Sequence, residues 1–229
     1  MHSKPSVSKT LLLSLLVVFV VFFLQIRISA ETESKSSSPA NEQAVDEEYT
    51  RLIKEATTKP EFLSPLTSYL PQVEGVPTPK DILGYISGAP GKLTYYEDIL
   101  KYMNALAEAS PNVQVFPIGK TSEGREMIIV AVSNKETMSN LKKYKDFLAK
   151  LADPRIVKTE KEAEAIIAQA KPIYWLTCNL HSSETGAAEV SMELAYRLAV
   201  DENPVIKKIR DNMIILITPS MEPDGHDIQ

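Results

Sequence analysis

The residues best suited to chemistry lie in the stretch Asn179-Leu180-His181-Ser182-Ser183-Glu184-Thr185-Gly186. It follows the apolar run Ile173-Tyr174-Trp175-Leu176-Thr177-Cys178, which Pro172 introduces and which reads as a buried strand with Trp175 in the core. A helical pattern begins at about Thr185 and runs to Val200, with Ala187, Val190, Leu194 and Leu198 on its apolar face. An imidazole and a carboxylate three positions apart at a strand-to-helix junction can face one point. Open α/β sheets bind their ligands at the carboxyl ends of strands, which is where this pair falls. Neutral imidazole and carboxylate are good zinc donors, and a catalytic zinc takes three protein ligands and a water. The bare spacing His-x-x-Glu often arises by chance, and a solvated or core-satisfied histidine is the default. Position raises its weight, as do Gly186, Ala187 and Ala188, which let the helix approach the sheet closely. His181 and Glu184 are the candidate metal ligands, Zn2+ the candidate ion, and no catalytic residue is assigned.

Other chemistries find less support. Cys178 is the only cysteine, has no basic cluster nearby to activate it, and reads as a small buried strand residue. A single cysteine excludes an internal disulfide framework. There is no Gly-x-Ser-x-Gly elbow and no Gly-rich phosphate loop. Ser182 beside His181 does not make a triad by adjacency. His226 reads as a solvated loop histidine rather than a third ligand.

The elements that must position the pair begin near Leu93. Thr94 to Glu97 has capping-box spacing, and Tyr96, Ile99, Leu100, Met103 and Leu106 then recur on one helical face. Val113, Val115, Phe116 and Ile118 read as a strand interrupted by Pro117, and Met127 to Val132 as a second. The turn from Gly119 to Gly124 is short enough to make the two antiparallel. Leu141, Tyr144, Leu148 and Leu151 predict a helix ending at Asp153-Pro154. A capping box from Thr159 to Glu162 opens another, through about Ala170. Asn203-Pro204 starts a further helix, and Met213 to Ile217 is the last strand. Strand, helix and strand in succession form a crossover unit with parallel strands. The expected fold is therefore α/β, a mixed sheet flanked by helices.

Upstream, Lys4 and Lys9 precede an apolar run from Leu11 to Leu24 that only Ser14 interrupts. That is the length of a signal-peptide core and is short for a membrane span, so residues 1–30 read as a signal peptide cleaved after Ala30. The alternative is an uncleaved anchor, since Gln25, Ile26 and Ile28 extend the run; Arg27 weighs against processing. Either way the bulk of the chain leaves the cytoplasm, secreted or periplasmic. Glu31 to Ala44 has the composition of a disordered linker, and a short amphipathic helix follows over about Val45 to Thr57. Pro60 to Pro90 holds six prolines and reads as an extended segment over the surface. Residues 31–92 thus form a linker and Pro-rich extension, and residues 93–229 the main domain. Removing Lys4, Lys9 and Arg27 from 25 basic residues leaves 22 against 30 acids, a net charge of −8. That balance argues against nucleic acid and anionic membrane surfaces as partners, leaving the membrane only for an uncleaved N-terminal segment.

With these elements in order, the chain resembles the zinc carboxypeptidases of the carboxypeptidase A type. His181 and Glu184 match that family's first zinc-binding element. Ile118-Gly119-Lys120-Thr121-Ser122-Glu123-Gly124-Arg125 and the apolar residues through Val132 match its turn and strand. Pro219 to Gly225 matches its Asn-Pro-Asp-Gly loop, except that Glu222 replaces Asn. The likeness runs from about Leu93 to Gln229. It implies zinc-dependent hydrolysis of peptide bonds at the C-termini of peptide substrates. It also implies that the second zinc histidine, the carboxylate-binding arginines and the general-base glutamate lie after Gln229, so the fold and site are expected to be incomplete here. Met213 to Ile217 would then be the bare strand. Ser182 and Ser183 stand where the family often has an arginine. Arg125 is expected to fix its turn by an ion pair. Asp224 is expected to shape its loop, with Gly225 supplying an unusual backbone angle. Two other readings remain: a zinc amidase acting on cell-wall peptides or acylated amino acids, and a non-catalytic exported binding module.

Overall fold

The computed structural model of the chain describes residues 43–228. The signal-peptide reading and nearly all of the linker reading lie outside them. Among the described residues no helix is long and apolar enough to cross a membrane.

Gln43, two residues before the expected helical segment, is held by its side chain. The Gln43 side chain donates to the Val200 carbonyl at 2.8 Å and accepts from the Glu202 amide. Helix α1 (Glu47–Ala56) starts at Asp46, whose carboxylate accepts from the Tyr49 amide at 2.8 Å, and it buries Tyr49 and Thr50. The Pro-rich stretch carries a single 3₁₀ turn (Pro60–Phe62) and the short helix α2 (Pro79–Leu83), opened by a capping box between Thr78 and Asp81. It does more than cover the surface. Leu70 and Ile86 enter the core, the Tyr196 hydroxyl donates to the Pro71 carbonyl at 2.9 Å, and Arg197 donates to the Leu66 and Tyr69 carbonyls.

Helix α3 (Tyr96–Ala109) is followed by strands β1 (Val113–Lys120) and β2 (Glu126–Val132), the short α4 (Lys135–Ser139), α5 (Leu141–Ala152) and α6 (Glu160–Ile167). Strand β3 (Ile173–Thr177), α7 (Thr185–Val200), α8 (Pro204–Asn212), β4 (Ile214–Thr218) and the short α9 (Pro223–His226) complete the order. The sheet is mixed, with order β1-β2-β4-β3; β1 and β4 run antiparallel to β2, and β3 runs parallel to β4. A register shift between Pro117 and Gly119 breaks the hairpin where Pro117 had spoiled the alternation. Ile99, Met103 and Leu106 of α3 and Ala188, Met192, Ala195 and Tyr196 of α7 pack into one core with Ile128, Val130, Ile215 and Ile217 of the sheet.

Two expectations about the sheet are corrected. The last strand is not bare, because β4 lies between β2 and β3 and is buried at four of its five positions. The edge belongs to β3 instead, where Ile173, Tyr174 and Trp175 are 45–55% exposed, so Trp175 is not a core residue. The crossover rule makes β3 and β4 parallel but does not say on which side of β4 the hairpin adds.

Candidate metal centre

The loop leaving β3 is held by the neighbouring loop that leaves β4. The Cys178 amide donates to the Thr218 carbonyl and the Met221 amide to the Cys178 carbonyl, so the two chains stay paired past their strand ends. Cys178 itself is buried, and burial pushes its thiol pKa up, opposite to what a nucleophile requires. Asn179 then turns the chain. It is the one non-glycine residue with positive φ (47°) among those described, a conformation that asparagine tolerates. Its buried amide donates to the His181 carbonyl at 2.8 Å and the Ser182 carbonyl at 3.3 Å, while its Oδ1 accepts from Ser220 Oγ at 2.6 Å. Asn179 had no assigned role in the sequence reading; a residue type that accepts left-handed backbone just after a strand was the available signal.

This turn brings His181 and Glu184 together at the carboxyl end of β3, Glu184 standing at the N-cap of α7. His181 Nδ1 lies 2.9 Å from Glu184 Oε1, and Glu184 Oε2 accepts from the His181 amide at 3.1 Å. Both side chains are exposed, at 72% and 51%. The hydrogen bond and the charge of Glu184 raise the imidazole pKa above its usual value, and the same bond holds the Glu184 carboxyl below its own.

The donor set fits zinc as far as it goes. Two ligands of a tetrahedral zinc with bonds of 2.0–2.1 Å sit roughly 3.4 Å apart, and this pair stands at 2.9 Å. Among the described residues no third His, Cys, Asp or Glu is grouped with them to hold an ion.

His226 is not that ligand, and it is not solvated either. It is fully buried, with Nε2 2.9 Å from the Thr94 carbonyl. A carbonyl only accepts, so Nε2 carries the proton, and Nδ1 has no partner. Thr94 does not cap α3: its amide donates to the buried Glu189 at 2.7 Å, and the α3 amide of Tyr96 donates instead to Asp227 Oδ1 at 2.8 Å. The C-terminal loop therefore caps α3 where a local capping box was expected.

The remaining loop residues gather around Arg125 and Ser182. Arg125 does pair with Glu123 in its own turn, but it also reaches Asp224 at 2.7 Å and Asp227 at 3.2 Å, tying the hairpin to the loop after β4. Ser182 Oγ donates to Glu222 Oε2 at 2.6 Å. Gly225 does not have a positive φ. It is needed for space: a β-carbon there would come within 2.9 Å of Ser182 Cβ and overlap Ser182 Oγ. Gly186, by contrast, faces open space, so the close approach of α7 to the sheet rests on the fully buried Ala188.

The family model of peptidase M14, zinc carboxypeptidase, matches residues 99–229. Among solved structures, a metallo-carboxypeptidase from Burkholderia cenocepacia is 23% identical over 58% of this chain and 28% of its own, with a TM-score of 0.40. Carboxypeptidase A from Helicoverpa armigera is 20% identical over 65% of this chain and 31% of its own, with a TM-score of 0.43. Thrombin activatable fibrinolysis inhibitor is 15% identical over 66% and 31%, with a TM-score of 0.45. This chain thus spans under a third of the length of these structures, and none superposes closely enough to carry a residue's role across. No curated protein matches in sequence. The family match covers more than half of the residues and includes both loops of the centre, and on it the chain belongs to the zinc carboxypeptidase family, peptidase M14.

Proposed function

We propose that the protein is an exported zinc carboxypeptidase, releasing residues from the C-termini of peptides, in which His181 and Glu184 supply two of the zinc ligands. The observation that supports this reading is the 2.9 Å pairing of His181 Nδ1 with Glu184 Oε1 at the carboxyl end of β3 in a chain of this family. Zinc bound there supplies Lewis acidity to the scissile carbonyl and the attacking water. The work of this chain's own residues is to bind and orient. Asn179 fixes the carbonyls of His181 and Ser182, and the backbone amide of His181 holds the far oxygen of Glu184, so both donors face outward from a braced loop.

The test is release of C-terminal residues from a mixed peptide pool by the native protein purified with its metal. Release that a chelator stops, and that His181→Ala or Glu184→Ala abolishes, is the expected result. Release that survives both substitutions would overturn the assignment.

The zinc amidase reading is favoured by one feature. Ser182 and Ser183 separate the paired residues, and Ser182 is bonded to the Glu222 carboxylate. The same assay run with acylated amino acids and cell-wall peptides separates the two readings.

A further inference from the structure

Four hydrogen bonds, two of them crossing between the loops, close into a ring. The Ser182 hydroxyl donates to Glu222 Oε2 at 2.6 Å, and the Glu222 amide donates to Ser220 Oγ at 3.2 Å. Ser220 Oγ in turn donates to Asn179 Oδ1 at 2.6 Å, and Asn179 Nδ2 donates to the Ser182 carbonyl at 3.3 Å. Gly225 packs against Ser182 so closely that no β-carbon fits. Behind it, Asp224 and Asp227 are anchored by Arg125. Ser182 is thus held from both of its ends, by its carbonyl and by its hydroxyl, and it sits between the two candidate ligands in sequence.

We infer that Ser182 and Glu222 form a clamp that positions His181 and Glu184 for metal, with Gly225 shaped to admit it. The inference rests on the zinc reading of the pair. The His181 and Glu184 side chains are 72% and 51% exposed, so packing does little to hold their geometry. The backbone that carries them must therefore be fixed from beneath, and the ring is the set of bonds that fixes it. Ser182, Glu222 and Gly225 are positioning residues; none is assigned to touch substrate.

The experiment uses the native protein stripped of metal and titrated with Co2+, whose visible absorption reports ligand geometry. Ser182→Ala and Glu222→Ala are each expected to weaken Co2+ binding by about 10–100-fold, the usual cost of removing a partner that orients a ligand, and to shift the absorption bands. The double variant should lose no more than the weaker-binding single, because both remove one bond. Glu222→Gln, which keeps an acceptor oxygen, should restore the band positions, while the melting temperatures of all variants stay near that of the wild type. Gly225→Ala serves as an independent variant that displaces Ser182 without removing a donor, and should also shift the bands. Unchanged affinity and spectrum in the single variants, with binding abolished in His181→Ala, would overturn the clamp and leave the zinc reading standing. Co2+ binding that survives His181→Ala would overturn both.

Discussion

A residue's type was legible here where its depth was not. His226 is a loop histidine in sequence, with nothing before it to announce burial, yet it is fully enclosed and donates to the Thr94 carbonyl. Its loop folds back onto the start of α3, a contact between positions 132 apart in the chain that no local pattern encodes. His226→Ala should destabilise the fold by about 1–3 kcal/mol, the cost of leaving a buried carbonyl unpaired, and leave zinc content unchanged; denaturant unfolding and metal analysis check both. Loss of zinc with unchanged stability would instead make His226 a ligand. Gly186 and Gly225 divide in the same way. In sequence Gly186 reads as making room for the helix to approach the sheet and Gly225 as supplying a backbone angle, but Gly186 has room for a side chain and Gly225 has none. Gly186→Ala is expected to be neutral or to stabilise by roughly 0.4–1 kcal/mol through the unfolded chain.

At the scale of elements, period and caps located most helices and strands, and misjudged what they face. The helix expected over Thr185 to Val200 is α7 with those ends, but its buried face is turned: Ala188, Met192, Ala195 and Ala199 are inside, and Val190 is 57% exposed. Apolar residues occupy most positions of this helix, so its pattern has little contrast from which to read a face. Met192→Ala should cost about 2–5 kcal/mol in thermal or chemical unfolding, and Val190→Ala no more than about 0.5 kcal/mol. Equal costs would contradict the packing. The loop after β4 invites a different measurement. Burial tends to raise the Asp224 carboxyl pKa, but hydrogen bonds from Thr121 and Arg125 and from the Glu123 amide outweigh it and hold the carboxyl below its usual value. A depressed pKa means that this contribution is present above the unfolded value of about 3.9 and is lost as pH falls through the folded one. Asp224→Asn should accordingly flatten the loss of stability below about pH 4, and an unaltered acid profile would show that the Arg125 tie carries no stability.

For the whole molecule, the mixed sheet and flanking helices followed from the hairpin, the crossover unit and the carboxypeptidase-like loops. What did not follow was the order of the sheet. Strands β2, β3 and β4 are all apolar runs, and composition alone cannot say which of three such strands is the edge; hydrogen bonding puts β4 inside and β3 outside. Export is a claim at the same scale. The product recovered outside the cytoplasm should begin at Glu31, and an intact Met1 in the membrane fraction would favour an anchor. The central claim, that the paired imidazole and carboxylate at the end of β3 are zinc ligands in a carboxypeptidase, meets its most direct test in the metal content of the native protein. Elemental analysis after exhaustive dialysis should find one zinc per chain, with the zinc lost in both His181→Ala and Glu184→Ala while the fold persists. One zinc per chain retained in both folded variants would contradict the account.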